Sequence, residues 1–277
     1  MTQPDKGPTT VSGEVQITPP EQTSIYAKEQ VASAPANETP REGKISIVFS
    51  VCNEEGSLPL LFEGLRKLAS SEEGAWEFLF VDDGSKDRSA ALVRAFRKEG
   101  VPDADIRLIR FSRNFGHEAA MIAGIDHATG EAVICMDADL QHPLEKIPEM
   151  ITSFREGKAI VMMNRQANRG NSPAGNFFSS LFYGIINGLS KEHLQKNSSD
   201  FFLISREVAE LLRNDFRERN RFLRGILQII GFPLGTLNYE APARKAGKTK
   251  YSFLKLTRLT ARAITSFSNA PLYLGIW

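Results

Sequence analysis

Short apolar runs alternate along the chain with segments whose apolar residues recur at helical spacing. Residues 45–51 are β-branched and apolar and predict a buried strand. After Cys52-Asn53-Glu54-Glu55-Gly56, the residues Leu58, Leu61, Phe62, Leu65 and Leu68 share one helical face, with Ser57 placed to cap it. Residues 76–81 predict a second strand, ending in Asp82-Asp83-Gly84-Ser85. A helix bearing Ala91, Leu92, Ala95 and Phe96 follows, with Asp87 as its cap. Residues 106–111 predict a third strand, leading through Ser112-Arg113-Asn114-Phe115-Gly116 into a helix over 117–128. The run 132–136 predicts a fourth strand, and Pro143 opens a helix that ends near Arg155. Further strands are predicted over 159–163 and 201–205, a helix over 220–230, and an edge strand over 234–239. This alternation predicts an α/β fold, a mostly parallel sheet with helices on both faces. Ligands bind such sheets beyond the carboxyl ends of the strands. Asn53, Asp82, Arg113 and Asp137 all follow predicted strands, so they are expected to line one crevice.

The flanks differ. Residues 1–42 hold six prolines among polar residues and have no apolar period, which predicts a disordered tail without a signal peptide. The domain is expected over 43–241. Within it, 176–189 is apolar on most sides, as a core helix or a lipid-facing surface would be, and the core is the commoner case. From Ala241 onward there are seven basic residues and no acidic one. Residues 244–251 form a basic loop. In 252–268, Phe253, Leu256, Leu259, Ala263, Ile264 and Phe267 lie opposite Lys255, Arg258 and Arg262. Such a basic amphipathic helix suits a membrane surface, and packing on its own domain suits the periodicity nearly as well. No apolar run is long enough to span a bilayer. The formal net charge of +1 gives no field that would attract nucleic acid. Cys52 and Cys135 fall in or beside apolar runs and read as core thiols in a reducing compartment, not as a disulfide or metal pair.

The chemistry concentrates at Asp137-Ala138-Asp139. In extended backbone an i, i+2 pair projects to the same side, so two carboxylates can aim at one point beyond the strand. Like charges that close repel unless a cation sits between them or one is protonated. A hard divalent ion with oxygen ligands is a natural occupant, and Gln141 can add an amide oxygen. An acidic loop with no ligand is the competing account, and a D-x-D pair by itself does not decide between them.

With these residues assembled, the chain resembles the family-2 glycosyltransferases of GT-A (Rossmann-like) fold, and among them the polyprenyl-phosphate glycosyltransferases. The resemblance covers about 45–273. It rests on N-E-E at Asn53, V-D-D-G-S-K-D at Val81, S-R-N-F-G-H-E-A-A at Ser112, M-D-A-D-L-Q-H-P at Met136, S-D-F at Ser199, R-F-L-R-G at Arg221 and R-K-A-G-K-T-K-Y at Arg244. It implies inverting transfer of a hexose from a UDP- or GDP-sugar to undecaprenyl or dolichyl phosphate, with Mg2+ or Mn2+, at the cytoplasmic face of a membrane. By the same resemblance Asp82 and Asp83 receive the nucleoside, and Asp137, Asp139 and Gln141 form the metal and diphosphate motif. Asp200 lies near the reacting sugar. Arg165, Arg244, Lys250 and Tyr251 handle phosphate, and Lys248 joins them on the acceptor side. Asn53, Glu54 and Arg113 complete the substrate-binding set, while Asp139, Asp200 and Arg165 are the expected catalytic groups. The nucleotide sugar, the lipid phosphate and, through the C-terminal helix, a membrane surface are the expected partners; self-association is left open. Most members carry transmembrane helices after the region matching Pro271. Two departures stand out: Cys52 replaces a usual tyrosine, and Phe202 replaces a usual arginine. Two other accounts remain open. One is a hydroxyl acceptor, for which Asp200 is the nominated general base. The other is a non-catalytic homologue that binds a nucleotide sugar.

Overall fold

The structure, a computed structural model, describes residues 41–72, 74–166, 198–216 and 222–240. Residues 1–40 of the expected tail, the apolar segment 176–189, the basic loop at 244–251 and the amphipathic stretch 252–268 lie outside the described residues, while residues 41 and 42, expected in the tail, begin the first strand.

Among the described residues the chain runs β1 (Arg41–Val51), α1 (Leu58–Ser71), β2 (Ala75–Asp82), α2 (Ser89–Glu99), β3 (Ala104–Arg110), α3 (His117–His127) and β4 (Gly130–Asp137). A 3-10 turn (Leu144–Lys146) leads into α4 (Ile147–Arg155), then β5 (Ile160–Arg165), β6 (Ser198–Ser205), α5 (Arg206–Asn214), α6 (Leu223–Ile229) and β7 (Leu234–Tyr239). The described strands form one sheet in the order β3-β2-β1-β4-β6-β5-β7. β1 is parallel to both β2 and β4, β2 to β3, and β5 to β7. β6 alone runs against its neighbours β4 and β5. That reversal puts the start of β6, Ser198 to Asp200, at the end of the sheet where β4 and β5 finish.

The alternation of strand side chains sorts the core into two layers. Ile45, Ile47, Phe49 and Val51 pack on one face with α1, α2 and α4. Val48, Val133, Cys135, Phe202 and Ile204 pack on the other with α3, α5 and α6. Helices therefore cover both faces, as the alternating pattern predicts. α3 lies very close to β1: a Cβ on Gly124 would sit 2.0 Å from Val48 Cγ1. The far end of α3 is held by α5, where Arg206 donates to Ala128 O (3.0 Å) and Arg213 to Ile125 O (2.9 Å). Basic groups on the last carbonyls of a helix complement its dipole.

Two local expectations need correcting. Ser57 makes no side-chain cap for α1; its hydroxyl donates instead to the Glu54 carboxylate (2.6 Å). The helix α5 has no counterpart in the sequence reading. Its buried residues, Val208, Ala209 and Leu212, recur at helical spacing, so the signal was present in the sequence. Asp87 does accept from Ser89 N (2.9 Å) at the start of α2. Among the described residues no helix is long and apolar enough to cross a membrane.

Candidate active site

The strands β2, β1 and β4 are neighbours in register, with Val51 beside Asp82 and Ser50 beside Asp137. Their carboxyl ends, with the loop before α3, enclose a cleft of about 300 Å³ that brings together Glu54, Asp83, Asn114, His117, Asp137 and Asp139. An adjoining open cavity of about 630 Å³ shares Asn114 and carries Lys86, Arg110 and Arg113. Arg113 is exposed there, its guanidinium 4.9 Å from the Phe115 ring centre.

The Asp82-Asp83 pair is tightly engaged by the protein. Asp82 is fully buried, accepting from Ser85 N (2.9 Å) and Arg110 Nε (3.1 Å). Asp83 accepts from Phe115 N (2.6 Å), Gly116 N (2.9 Å) and Asn114 Nδ2 (2.8 Å), and so fixes the loop that enters α3. Burial pushes the Asp83 carboxyl up, with Asp82 adding to the rise, while the loop amides act against it. The loops after β1 and β2 are also stitched together. Asn53, in left-handed backbone at φ 59, donates N–H to Ser85 Oγ (2.9 Å) and accepts from Lys86 N (2.8 Å). Glu54 N donates to Ser89 Oγ (2.8 Å). Cys52 is half-buried beside Asn114, whose Nδ2 lies 3.3 Å from its sulfur, and Cys135 is fully buried; neither is in a disulfide.

Asp137 ends β4, and its N–H donates to His142 Nδ1 (2.9 Å). The His142 ring stacks on Phe201, and burial holds its pKa below the usual imidazole value, so Nδ1 stays free of a proton and accepts. Asp139 follows after one residue and accepts from Gln141 N (3.1 Å) around Leu140, which sits at φ 65. The Gln141 side-chain amide donates to Asp139 and accepts from Arg165 Nη1 at 3.4 Å. Asp137, Asp139, Gln141 and Arg165 thus lie close to one another.

A second group of residues centres on His117, the first residue of α3. Its Nδ1 is 3.1 Å from Asp137 Oδ1 and 3.1 Å from Ser50 Oγ, and its Nε2 is 3.5 Å from Asp200 Oδ2. The other oxygen of Asp200 is 3.0 Å from Arg224 Nε. Burial disfavours the imidazolium, but Asp137 and Asp200 outweigh it and hold His117 well above its usual value. Burial likewise works against the Asp200 carboxylate. Arg224 and then His117 overcome it and keep the group far below the usual carboxylate range. Next to His117, burial and the Asp200 charge push Glu118 up to about 7; its carboxylate accepts from Leu223 N (3.3 Å) at the start of α6. His117, Glu118, His142, Asn114 and Arg224 are the members that sequence reasoning did not nominate. The only signal was their presence inside the quoted motifs. The expected acceptor-side residues Arg244, Lys248, Lys250 and Tyr251 lie outside the described residues.

Residues 46–213 match the family description "Glycosyl transferase family 2". The chain belongs to that family. As a family-2 glycosyltransferase it shares 36% identity with the Escherichia coli K12 "Prophage bactoprenol glucosyl transferase homolog", over 84% of this chain and 76% of the relative. It shares 36% with the "Bactoprenol glucosyl transferase" of Shigella phage SfX, over 84% and 77%. The "Uncharacterized glycosyltransferase YkcC" of Bacillus subtilis is also 36% identical, over 85% and 72%. Among solved structures it is similar to glucosyl-3-phosphoglycerate synthase of Mycobacterium tuberculosis in complex with Mn2+ and UDP-glucose. The TM-score is 0.56 at 18% identity, covering 82% of this chain and 79% of that one. This likeness supports the GT-A fold of the family-2 domain.

Proposed function

We propose that this family-2 glycosyltransferase moves a hexose from a nucleoside-diphosphate sugar to the phosphate of a polyprenyl phosphate, inverting the anomeric centre. The observation that carries the reading is the state of Asp200. A hydroxyl acceptor needs a base, and Asp200 is the carboxylate nominated for that duty. With Arg224 on one oxygen and His117 on the other, it is held as a fixed anion and is a weak proton acceptor. A phosphate acceptor is already an anion near neutral pH and needs no such base. Its oxygen attacks C1 of the sugar, the bond from C1 to the diphosphate breaks, and the nucleoside diphosphate leaves. The names of the bactoprenol glucosyl transferase relatives support the same acceptor class.

A divalent ion fits the donor end. Asp137 and Asp139 both face the cleft and offer hard oxygen ligands. Among the described residues no three His, Cys, Asp or Glu side chains are grouped to hold an ion. The pair therefore supplies part of a coordination sphere, and magnesium commonly takes the remainder from substrate phosphates and water. Gln141, whose amide oxygen accepts from Arg165, keeps a second lone pair for such an ion. Such an ion supplies Lewis-acid stabilisation of the departing diphosphate. The protein's own share is orientation. Asn53 and Asp83 fix the two loops that border the cleft, and Arg165 stands beside the diphosphate motif as a cation for phosphate oxygens. Arg244, Lys248, Lys250 and Tyr251 are assigned to the acceptor phosphate. The 252–268 segment is assigned to the cytoplasmic membrane surface, where basic residues are worth about 1 kcal/mol each.

The test is direct. The protein is incubated with UDP- and GDP-sugars, Mg2+ or Mn2+, and short polyprenyl phosphates, and a glycosyl phospholipid is sought by mass. Transfer to sugar hydroxyls with none to lipid phosphate would reverse the acceptor assignment. Glu118, with its carboxyl near 7, would then be the next base to examine.

A further inference from the structure

β4 and β6 pair in antiparallel register from Ala132 with Ser205 to Cys135 with Phe202, and their paired residues end there. Carried two residues further along each strand, the same register sets Asp137 opposite Asp200. Cys135 and Phe202 pack under α3 on one face of the sheet. Side chains alternate along a strand, so both aspartates project to that face too. Like charges directly opposite one another across a sheet destabilise it. At this point the backbone ladder no longer holds the strands together. The ring of His117 occupies the gap, with Nδ1 3.1 Å from Asp137 Oδ1 and Nε2 3.5 Å from Asp200 Oδ2.

The ring is itself firmly placed. Ser50 Oγ contacts Nδ1, Asp83 fixes the two residues before the histidine, and Arg206 and Arg213 anchor the far end of α3. Arg224 fixes the second oxygen of Asp200 from α6.

We propose that His117 is a positioning residue that bridges Asp137 and Asp200 where the β4–β6 ladder ends, holding the donor-side and acceptor-side carboxylates in one geometry. The words donor and acceptor rest on the function proposed above. The bridge itself rests on the register and the three distances. A polar ring seated between the two facing carboxylates does what a backbone pair does elsewhere in the sheet. It also leaves Asp137 aimed at the cleft rather than turned away from Asp200.

The experiment is a double-mutant cycle with His117→Ala, Asp200→Asn and the pair, read two ways. The first readout is thermal melting of the ligand-free protein. His117→Ala should melt well below the parent, and adding Asp200→Asn should raise melting again, since the repulsion is gone. The second readout is Mn2+-dependent UDP binding by calorimetry. Affinity should fall about tenfold in His117→Ala, a coupling usual for residues sharing one network, and recover in the pair. A merely structural histidine would give no recovery in either readout. His117→Gln, which keeps a polar group of similar length and removes the ring, repeats the cycle if the alanine variant does not fold. Additive effects in the melting cycle overturn the proposal. If the parent binds no UDP with Mn2+, the donor assignment fails while the melting cycle still decides the bridge.

Discussion

An Asp83→Asn substitution exchanges one oxygen of a carboxylate that accepts three hydrogen bonds. Oδ1 takes Phe115 N at 2.6 Å, and Oδ2 takes Gly116 N at 2.9 Å and Asn114 Nδ2 at 2.8 Å. Whichever way an asparagine amide turns, its NH2 faces at least one backbone N–H, donor against donor. Hydrogen bonds to a charged acceptor are worth about 1.5–3 kcal/mol each. Burial and the Asp82 charge push the Asp83 carboxyl up and outweigh what these bonds gain from ionisation, so the loss to count is that of an acceptor for one buried N–H. A net loss near that of one such bond, about 2 kcal/mol, is the expected cost. For a domain of this size that lowers melting by about 4–8 °C. The sign of the pH dependence follows from the raised value. Protonation favours the fold, so the parent loses this increment as pH rises from the unfolded toward the folded value, and the asparagine variant lacks that slope. The assay is calorimetric melting of the ligand-free protein, with UDP titration beside it. If the variant melts with the parent yet loses UDP, the carboxylate serves the nucleoside and the loop-holding account is wrong.

Three further outcomes are expected. Asp139→Asn should abolish Mn2+-dependent UDP binding with melting unchanged; undiminished affinity would remove this aspartate from the metal site. Glu77→Gln should lower melting by about 6–12 °C, because Glu77 is fully buried between Arg107 (2.9 Å) and Lys44 (3.8 Å) and breaking such a network costs about 3 kcal/mol. Despite burial, Ser46, Thr129 and those cations hold Glu77 below its usual value. Its contribution is therefore present above the unfolded value and lost as pH falls through the folded one, and the variant should lack that acid-side loss. Gly124→Ala should cost about 1–3 kcal/mol through overlap with Val48, and lower transfer activity as α3 shifts with His117 at its head. An alanine variant that melts higher would mean that α3 moves freely off β1.

The strands on which the sequence speaks most clearly are those buried on both faces. β1, β2 and β4 read as continuous apolar runs because both layers of helices press on them. Direction is not written in such a run, so β6 was legible as a strand but not as the one that runs backward. That reversal matters most for the site. It delivers Asp200 to the carboxyl ends of β4 and β5, opposite a residue 63 positions earlier. The D-x-D pair was legible as two carboxylates at a strand end, although β4 stops at Asp137 and Asp139 lies in the turn that follows, not in extended backbone. The partners of a side chain have no such local mark, and Asp83 reads the same whether it faces a nucleoside or the N–H groups of Phe115 and Gly116. The same holds for His117 and Arg224, which are ordinary helix residues until the fold sets them on either side of Asp200. Phe202 shows the converse. Read along the chain it is a missing arginine. In the fold it is fully buried between Cys135 and Met162 under α3, where an unpaired guanidinium would carry a large desolvation cost. Asp200 has its cation from α6, through Arg224, and the apolar layer that supports α3 beneath His117 remains intact.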